Sequence, residues 1–306
     1  MNLYISVVTL IIAGLLYGCD NRLKHTVSVQ SQKSVQETIV STNVPESLQD
    51  LLSVPGKLLG TLDIALVNVL CAQDLPGFDD LDVDQCLATL DRWAKYVKSA
   101  EDRYMPEYKK NPKRYDESLA KFKAINLALT LKEDLKCSYN LKLVDSGFMA
   151  DLNTTRFFKN SKDLFIHGFT ANRKGSCSSL PVLMVAVGRR CGYPLYLVTS
   201  KGHLFCRWDD GSEKFNIETA IQGVDIKPDS YYRNWPYPIT SEEEKREGYL
   251  KSLSPAEELS IFMQIRAACL QENGRYEDAS TAYKHALEAF PNSNLIRKYD
   301  QSVSVK

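Results

Sequence analysis

Apolar and polar positions change their period several times along this chain, and each change marks a boundary. Residues 3–16, LYISVVTLIIAGLL, are almost wholly apolar and have no polar face. From 21 to about 47 the chain is polar, rich in Ser, Thr, Val and Gln, with no period; this predicts a flexible tether. Apolar residues then recur at helical spacing over 48–70 and 81–99, the second time as Leu81, Cys86, Leu87, Leu90, Trp93 and Val97. A charged stretch, 104–114, leads to a third helical pattern at about 117–135.

Over 177–191 the helical pattern loses its polar side. Leu180, Val182, Leu183, Met184, Val185, Ala186 and Val187 predict a central, buried helix. Pro181 fits a first turn, Ser176 is a good N-cap, and Gly175 permits a sharp entry. Arg189 and Arg190, followed by Gly192, suit the C-terminus. The period then drops to two in three β-branched and aromatic runs, 193–200, 203–208 and 214–219. Helices around an antiparallel hairpin sheet make the fold class α+β.

Lys201-Gly202 and Asp209-Asp210-Gly211-Ser212 separate these runs. If Asp210-Gly211 is a two-residue turn, Asp209 pairs with Ser212, His203 stands opposite Glu218, and Asn216 opposite Phe205. The apolar face of that hairpin is Leu204, Cys206, Trp208, Phe215 and Ile217. The buried helix should pack there, so Gly202 or the sheet twist has to bring His203 round from the other face.

Candidate chemistry concentrates in the same stretch. Cys177 heads the apolar helix in Gly175-Ser176-Cys177-Ser178-Ser179, where the helix dipole and free N–H groups favour a thiolate and can hold an oxyanion. His203 follows, and then a carboxylate, Glu218, or an amide, Asn216. A thiol, an imidazole and an orienting group in that order are the parts of a cysteine nucleophile, with Glu218 favoured as the third member and Asn216 close behind. His25, His167 and His285 have no such context, and Cys191 and Cys206 read as core packing.

At these residues the chain resembles the transglutaminase-like superfamily of papain-like cysteine enzymes. The matching pieces are Gly175-Ser-Cys177-Ser-Ser, Gly202-His203-Leu-Phe on a strand, and Phe215-Asn-Ile-Glu218-Thr on the next. The resemblance covers roughly residues 80–240 and is greatest to the bacterial branch joined to tetratricopeptide repeats. It implies a catalytic helix packed on an antiparallel sheet and acyl transfer through a thioester, as a peptidase, amidase or transglutaminase acting on a peptide or protein. The family commonly has Asp at the third position, where this chain has Asn216 or Glu218. Asn172, five residues before Cys177, is a weak candidate for the oxyanion donor. The alternative is a non-catalytic binding or scaffold module on the same fold.

The ends complete the plan. Residues 1–18 have signal-peptide length, and Leu16-Tyr17-Gly18-Cys19 resembles a bacterial lipobox in which Cys19 is lipidated and becomes the mature N-terminus. Asp20 resembles the signal that retains lipoproteins at the inner membrane of enteric-type bacteria. The expected location is therefore the cell envelope, lipid-anchored, on the periplasmic face where there are two membranes. Gly274, Tyr276, Ala279, Tyr283, Ala286 and Pro291, with Ala267 before them, have the spacing of one tetratricopeptide repeat. A lone repeat cannot bury its own face, so it docks on the catalytic domain or receives a protein partner. The domains are thus a signal (1–18), a lipidated tether (19–47), a transglutaminase-like domain with N-terminal helices (48–245) and a single repeat (254–306).

Composition adds exclusions. Lys+Arg and Asp+Glu are equal at 38 each in 306 residues, so nothing attracts nucleic acid. No Cys-x-x-Cys, His-Glu-x-x-His or Gly-rich nucleotide motif appears, so neither metal nor cofactor is expected. Among eight cysteines, Cys71 and Cys86 flank a Pro/Gly/Asp-rich loop and are candidates for a disulfide in an oxidising compartment.

Overall fold

Pro55 and Gly56 break the first helical pattern into α1 (Leu48–Leu52), a 3-10 turn (Gly56–Thr61) and α2 (Ile64–Leu70), with Ser47 and Asp63 as N-caps. This is read from a computed structural model that describes residues 44–79, 81–143, 157–218 and 224–304. The signal segment, Cys19, His25 and most of the tether lie outside them. Asp82 caps α3 (Val83–Lys110), which runs on through the charged stretch expected to connect two helices. That stretch holds good helix formers and no glycine, so its polarity is that of a solvated helical end, with Pro106 accommodated inside.

Next come α4 (Leu119–Leu129), closed by a π-turn (Thr130–Asp134), then β1 (Ser138–Tyr139), α5 (Ser161–Leu164), α6 (His167–Asn172) and β2 (Lys174–Gly175). β1 and β2 pair in parallel, Tyr139 beside Gly175. The apolar helix α7 (Leu180–Arg190) is buried all round and packs on α2, α3 and α4. Its remaining cover is an antiparallel sheet in the order β3 (Leu195–Ser200), β4 (His203–Asp209), β5 (Lys214–Glu218) and β6 (Asp225–Lys227), the last unexpected from the sequence.

The hairpin register corrects the expected turn. Asp209 pairs with Lys214 and Arg207 with Asn216, so the connection is four residues, 210–213. Asp210 causes this: its Oδ1 accepts from Ser212 N (2.9 Å), Ser212 Oγ (2.7 Å) and Glu213 N (2.7 Å), locking the longer loop. The slip is two residues, so every side chain keeps its face. Glu218 is therefore a diagonal neighbour of His203 rather than its opposite, and Asn216 faces Arg207 rather than Phe205.

Both faces of β4 are covered. Leu204, Cys206 and Trp208, with Phe215 and Ile217, join the main core around α7. On the second face Phe205 packs with Val198, Tyr232, Tyr249 and Leu250. That cover comes from α8 (Asp229–Tyr232) and the turn after α9 (Ser241–Glu247). The chain then runs beside β3, Leu250 N donating to Thr199 O and Leu253 N to Leu197 O (both 2.9 Å).

The C-terminal helices are α10 (Pro255–Glu272), α11 (Tyr276–Ala289) and α12 (Asn294–Ser304). Gly274, at φ +78°, makes the α10–α11 turn. Phe262, Met263, Ala267 and Leu270 belong to the same core as α7. Arg189 at the end of α7 holds Glu258 through both carboxylate oxygens (2.6 and 3.0 Å). Arg266 donates to Cys71 O (3.1 Å) and Gln73 O (2.5 Å), tying α10 to the end of α2. The second half of the chain thus shares one core with the first.

Cys71 and Cys86 are not bridged. Cys71 Sγ lies 3.9 Å from Met263 Sδ, and Cys86 Sγ accepts from Thr170 Oγ1 at 3.5 Å, so each thiol packs in a different neighbourhood. No helix among the described residues is long and apolar enough to cross a membrane.

Candidate functional site

Cys177 is held by a turn of serines. Ser176 N donates to Ser179 Oγ (2.9 Å), Ser178 N to Ser176 Oγ (3.1 Å), and Ser179 Oγ to Asp163 O (3.1 Å). These side-chain bonds compete with helical ones, so α7 begins at Leu180 and Cys177 sits in the turn before it, not in the first helical turn. Gly175 matters here through closeness rather than an unusual backbone angle: a Cβ there would lie 2.3 Å from the Phe169 ring and 2.5 Å from Ser179 Oγ. Cys177 is 8% exposed.

His203 opens β4 directly after Gly202, whose φ of +76° turns the β3–β4 connection. It needs no swing to the other face. It stays on the Phe205 side, stacked at 6.1 Å on both Phe205 and Tyr232, with the Trp235 ring edge-on at 4.7 Å. It meets Cys177 at the end of the hairpin, where the two line one cavity.

The imidazole is fixed from one side. His203 Nε2 lies 2.8 Å from Glu218 Oε2, and Tyr232 O–H donates to the same oxygen at 3.0 Å. Burial alone would lower the His203 pKa; the Cys177 sulfur nearby and the hydrogen-bonded, charged Glu218 carry it up to about 9 instead. Nδ1 is buried and completes no hydrogen bond, so the thiol stands near without closing one.

Asn216 does something else. Its Oδ1 accepts from Arg207 Nε (2.6 Å), and its Nδ2 donates to Asp229 Oδ1 (2.7 Å) and Lys227 O (3.1 Å). Arg207, wholly buried, also reaches Asp229 Oδ1 (2.6 Å) and Leu250 O (3.0 Å). This network fastens α8, and hence Tyr232, to the sheet behind the site. Asn172 is also elsewhere: it is exposed, with its Oδ1 accepting from Lys174 N in a local turn.

Sequence reasoning missed Tyr139 and Tyr232. Tyr139, beside Gly175 across β1–β2, is buried, and burial followed by the charge of Cys177 pushes its phenol far up. It is a neutral O–H donor next to the thiol. Neither tyrosine lies in a motif, and their place depends on tertiary contacts. His167 is a core residue 3.1 Å from Ser161 Oγ, held down to about 4 by burial, and His285 pairs with Glu288 on α11.

The cavity that receives Cys177 and His203 has a volume of about 410 Å³. Its other walls are Phe157, Phe158, the β3–β4 end with Thr199 and Ser200, Glu247 and Tyr249, and the C-terminal helices. Comparison with protein-family models, with curated proteins and with solved structures found no match to this chain.

Proposed function

We propose that this chain is an exported cysteine-dependent acyl-transfer enzyme on a transglutaminase-like core, acting on a carboxamide of a peptide or protein. The observation that carries this reading is the setting of His203: Nε2 held by Glu218, Nδ1 left open, and Cys177 in the same cavity. An imidazole bound on one nitrogen by a carboxylate, with its other nitrogen toward a thiol, is the arrangement of a nucleophile, its base and an orienting group.

In the first half-reaction Cys177 Sγ, as thiolate, forms a bond to the carboxamide carbon, and the C=O π pair moves to oxygen. The Tyr139 O–H, next to the thiol, would donate to that oxyanion. As the tetrahedral adduct collapses, the C–N bond breaks and His203 gives its proton to the leaving nitrogen, leaving a thioester. In the second half-reaction water or an amine attacks the thioester carbon while His203 takes its proton. The C–S bond then breaks and returns the thiolate. Water gives a peptidase or amidase, an amine a cross-linking transferase.

Lipidation at Cys19 belongs to the same proposal and would hold the enzyme at a membrane of the cell envelope. Intact mass after membrane extraction tests it; a soluble, unmodified product speaks against it. For the chemistry, iodoacetamide at mildly acidic pH should label Cys177 before Cys191 or Cys206, and His203→Ala should slow that labelling by about tenfold for each unit by which the thiol pKa rises. Equal labelling of the three thiols, or indifference to His203→Ala, would leave a non-catalytic binding module as the better reading.

A further inference from the structure

Residues 261, 264, 265, 268, 271 and 272 of α10 all line the cavity of Cys177 and His203. Their spacing is that of one helical face. The opposite face carries Phe262, Met263, Ala267 and Leu270 into the core. One helix therefore carries apolar residues on two sides, one packed into the core and the other lining the cavity, where Ile265 is buried and Ile261 and Ala268 are half-buried.

The cavity-facing side, with the walls around it, has a definite chemistry. Phe157, Phe158, Ile261, Ile265, Ala268 and Leu295 supply apolar surface. Among the described lining residues the carboxylates are Glu247 and Glu272, and none is Lys or Arg. Glu247 is already satisfied by Arg246 Nε (2.9 Å), Ser293 Oγ (2.5 Å) and Asn294 N (3.3 Å). An anionic ligand would lose its water here and, beyond the His203 imidazolium, meet no cation. Ser200 adds an independent sign: it is 3% exposed, lines the cavity, and its Oγ has no hydrogen-bond partner. A buried hydroxyl without a partner is costly unless a ligand satisfies it, and a peptide backbone offers both a donor and an acceptor.

We propose that the cavity-facing stripe of α10 is the subsite for an uncharged, apolar segment of a polypeptide substrate. The C-terminal helices would thereby choose which carboxamide reaches Cys177, with Ser200 Oγ bonding the substrate backbone. The proposal rests on the reading of Cys177 as nucleophile. The volume of about 410 Å³ is within the usual range of sites that enclose a ligand, and is larger than a single side chain requires.

Three thiol reagents separate the two claims: chloroacetamide, its N-phenethyl derivative and its anionic N-(2-sulfoethyl) derivative. Rates at Cys177 of the full chain are divided by those with free cysteine. The phenethyl reagent should outpace the parent by about tenfold or more, the discrimination an apolar pocket gives a well-buried group, and the sulfoethyl reagent should gain nothing. Ala268→Phe fills the stripe and should bring the phenethyl-to-parent ratio toward one. Gln264→Trp, one turn away at a half-buried polar position, carries the same expectation and serves if the first variant does not fold. Because the ratio is taken within each variant, a general loss of thiol reactivity divides out. A wild-type ratio near one, or a ratio that survives in the folded variants, overturns the subsite and leaves the nucleophile standing. Failure of the parent reagent to select Cys177 overturns both.

Discussion

Glu218 and Asn216 stand two residues apart on one face of β5, and only Glu218 reaches His203. The carboxylate holds the imidazole, and the amide holds the Arg207 that anchors the layer behind it. The two substitutions therefore have separable effects. Glu218→Gln should slow alkylation of Cys177 strongly, with a stability loss near neutral pH that fades as pH rises through about 9. Asn216→Ala, which leaves buried Arg207 Nε without its acceptor, should cost about 1–3 kcal/mol of stability and slow alkylation less. Rates and thermal melts on both variants check this, and a larger kinetic loss in Asn216→Ala contradicts it.

Tyr232→Phe keeps the stacked ring over Phe205, 3.7 Å between centroids, and removes only the donor to Glu218. A hydrogen bond to a charged group contributes about 1.5–3 kcal/mol. The variant should lose stability on that scale, and combining it with Glu218→Gln should lose less than the two effects added. Strict additivity in a double-mutant cycle would show that the Tyr232–Glu218 bond does not matter.

Stability should depend on alkaline pH through His203. Its folded pKa of about 9 lies above the unfolded value near 6.5, so its contribution is complete below about pH 6.5 and is lost as pH rises through about 9. The amount at stake is on the order of 3 kcal/mol. Melting temperature measured from pH 6 to pH 10 should fall across that window, and less steeply in Glu218→Gln. Parallel curves for the two proteins would contradict the assignment.

Gly175→Ala should overpack the turn under Cys177, since the added methyl meets the Phe169 ring and Ser179 Oγ. A loss of about 1–3 kcal/mol is the usual scale. Because Ser179 Oγ holds Ser176 N, alkylation of Cys177 should slow as well. An unchanged melt with unchanged alkylation would mean that the neighbours yield freely.

Deleting residues 256–306 removes Phe262, Met263, Ala267 and Leu270 from the shared core. Each larger apolar side chain fully buried contributes about 1.5–3 kcal/mol, against a whole-domain stability of about 5–15 kcal/mol. The truncated chain should melt far lower or not fold cooperatively. Unchanged melting would show that the helices are a free arm.

Local rules made the parts of the site readable. The apolar run after Pro181 marked a buried helix, alternation marked β3, β4 and β5, and the parity of His203 and Glu218 survived a wrong turn length. What the sequence hid has two sources, local side-chain bonds that compete with regular structure and contacts from distant parts of the chain. Asp210 reorganised its loop through four side-chain hydrogen bonds, one of them from Trp208, and the serines around Cys177 postponed the start of α7. The second face of β4 looked polar because of His203 and Arg207, yet Tyr232, Tyr249 and Leu250 arrive from later in the chain to cover it. Tyr139 lies close to Cys177 in space and far from it in sequence, in a two-residue strand that no periodicity reveals.

The segment after α9 covers the outer edge of β3 with hydrogen bonds from Leu250 and Leu253. An uncovered strand edge is a template for another chain, and β3 is rich in Leu, Val and Tyr. A product ending before Leu250 would present Leu197 O and Thr199 O to its neighbours and aggregate by strand addition. These few linker residues thus act as a guard on solubility, and a protease that cut there would remove the protein from solution as well as opening its cleft.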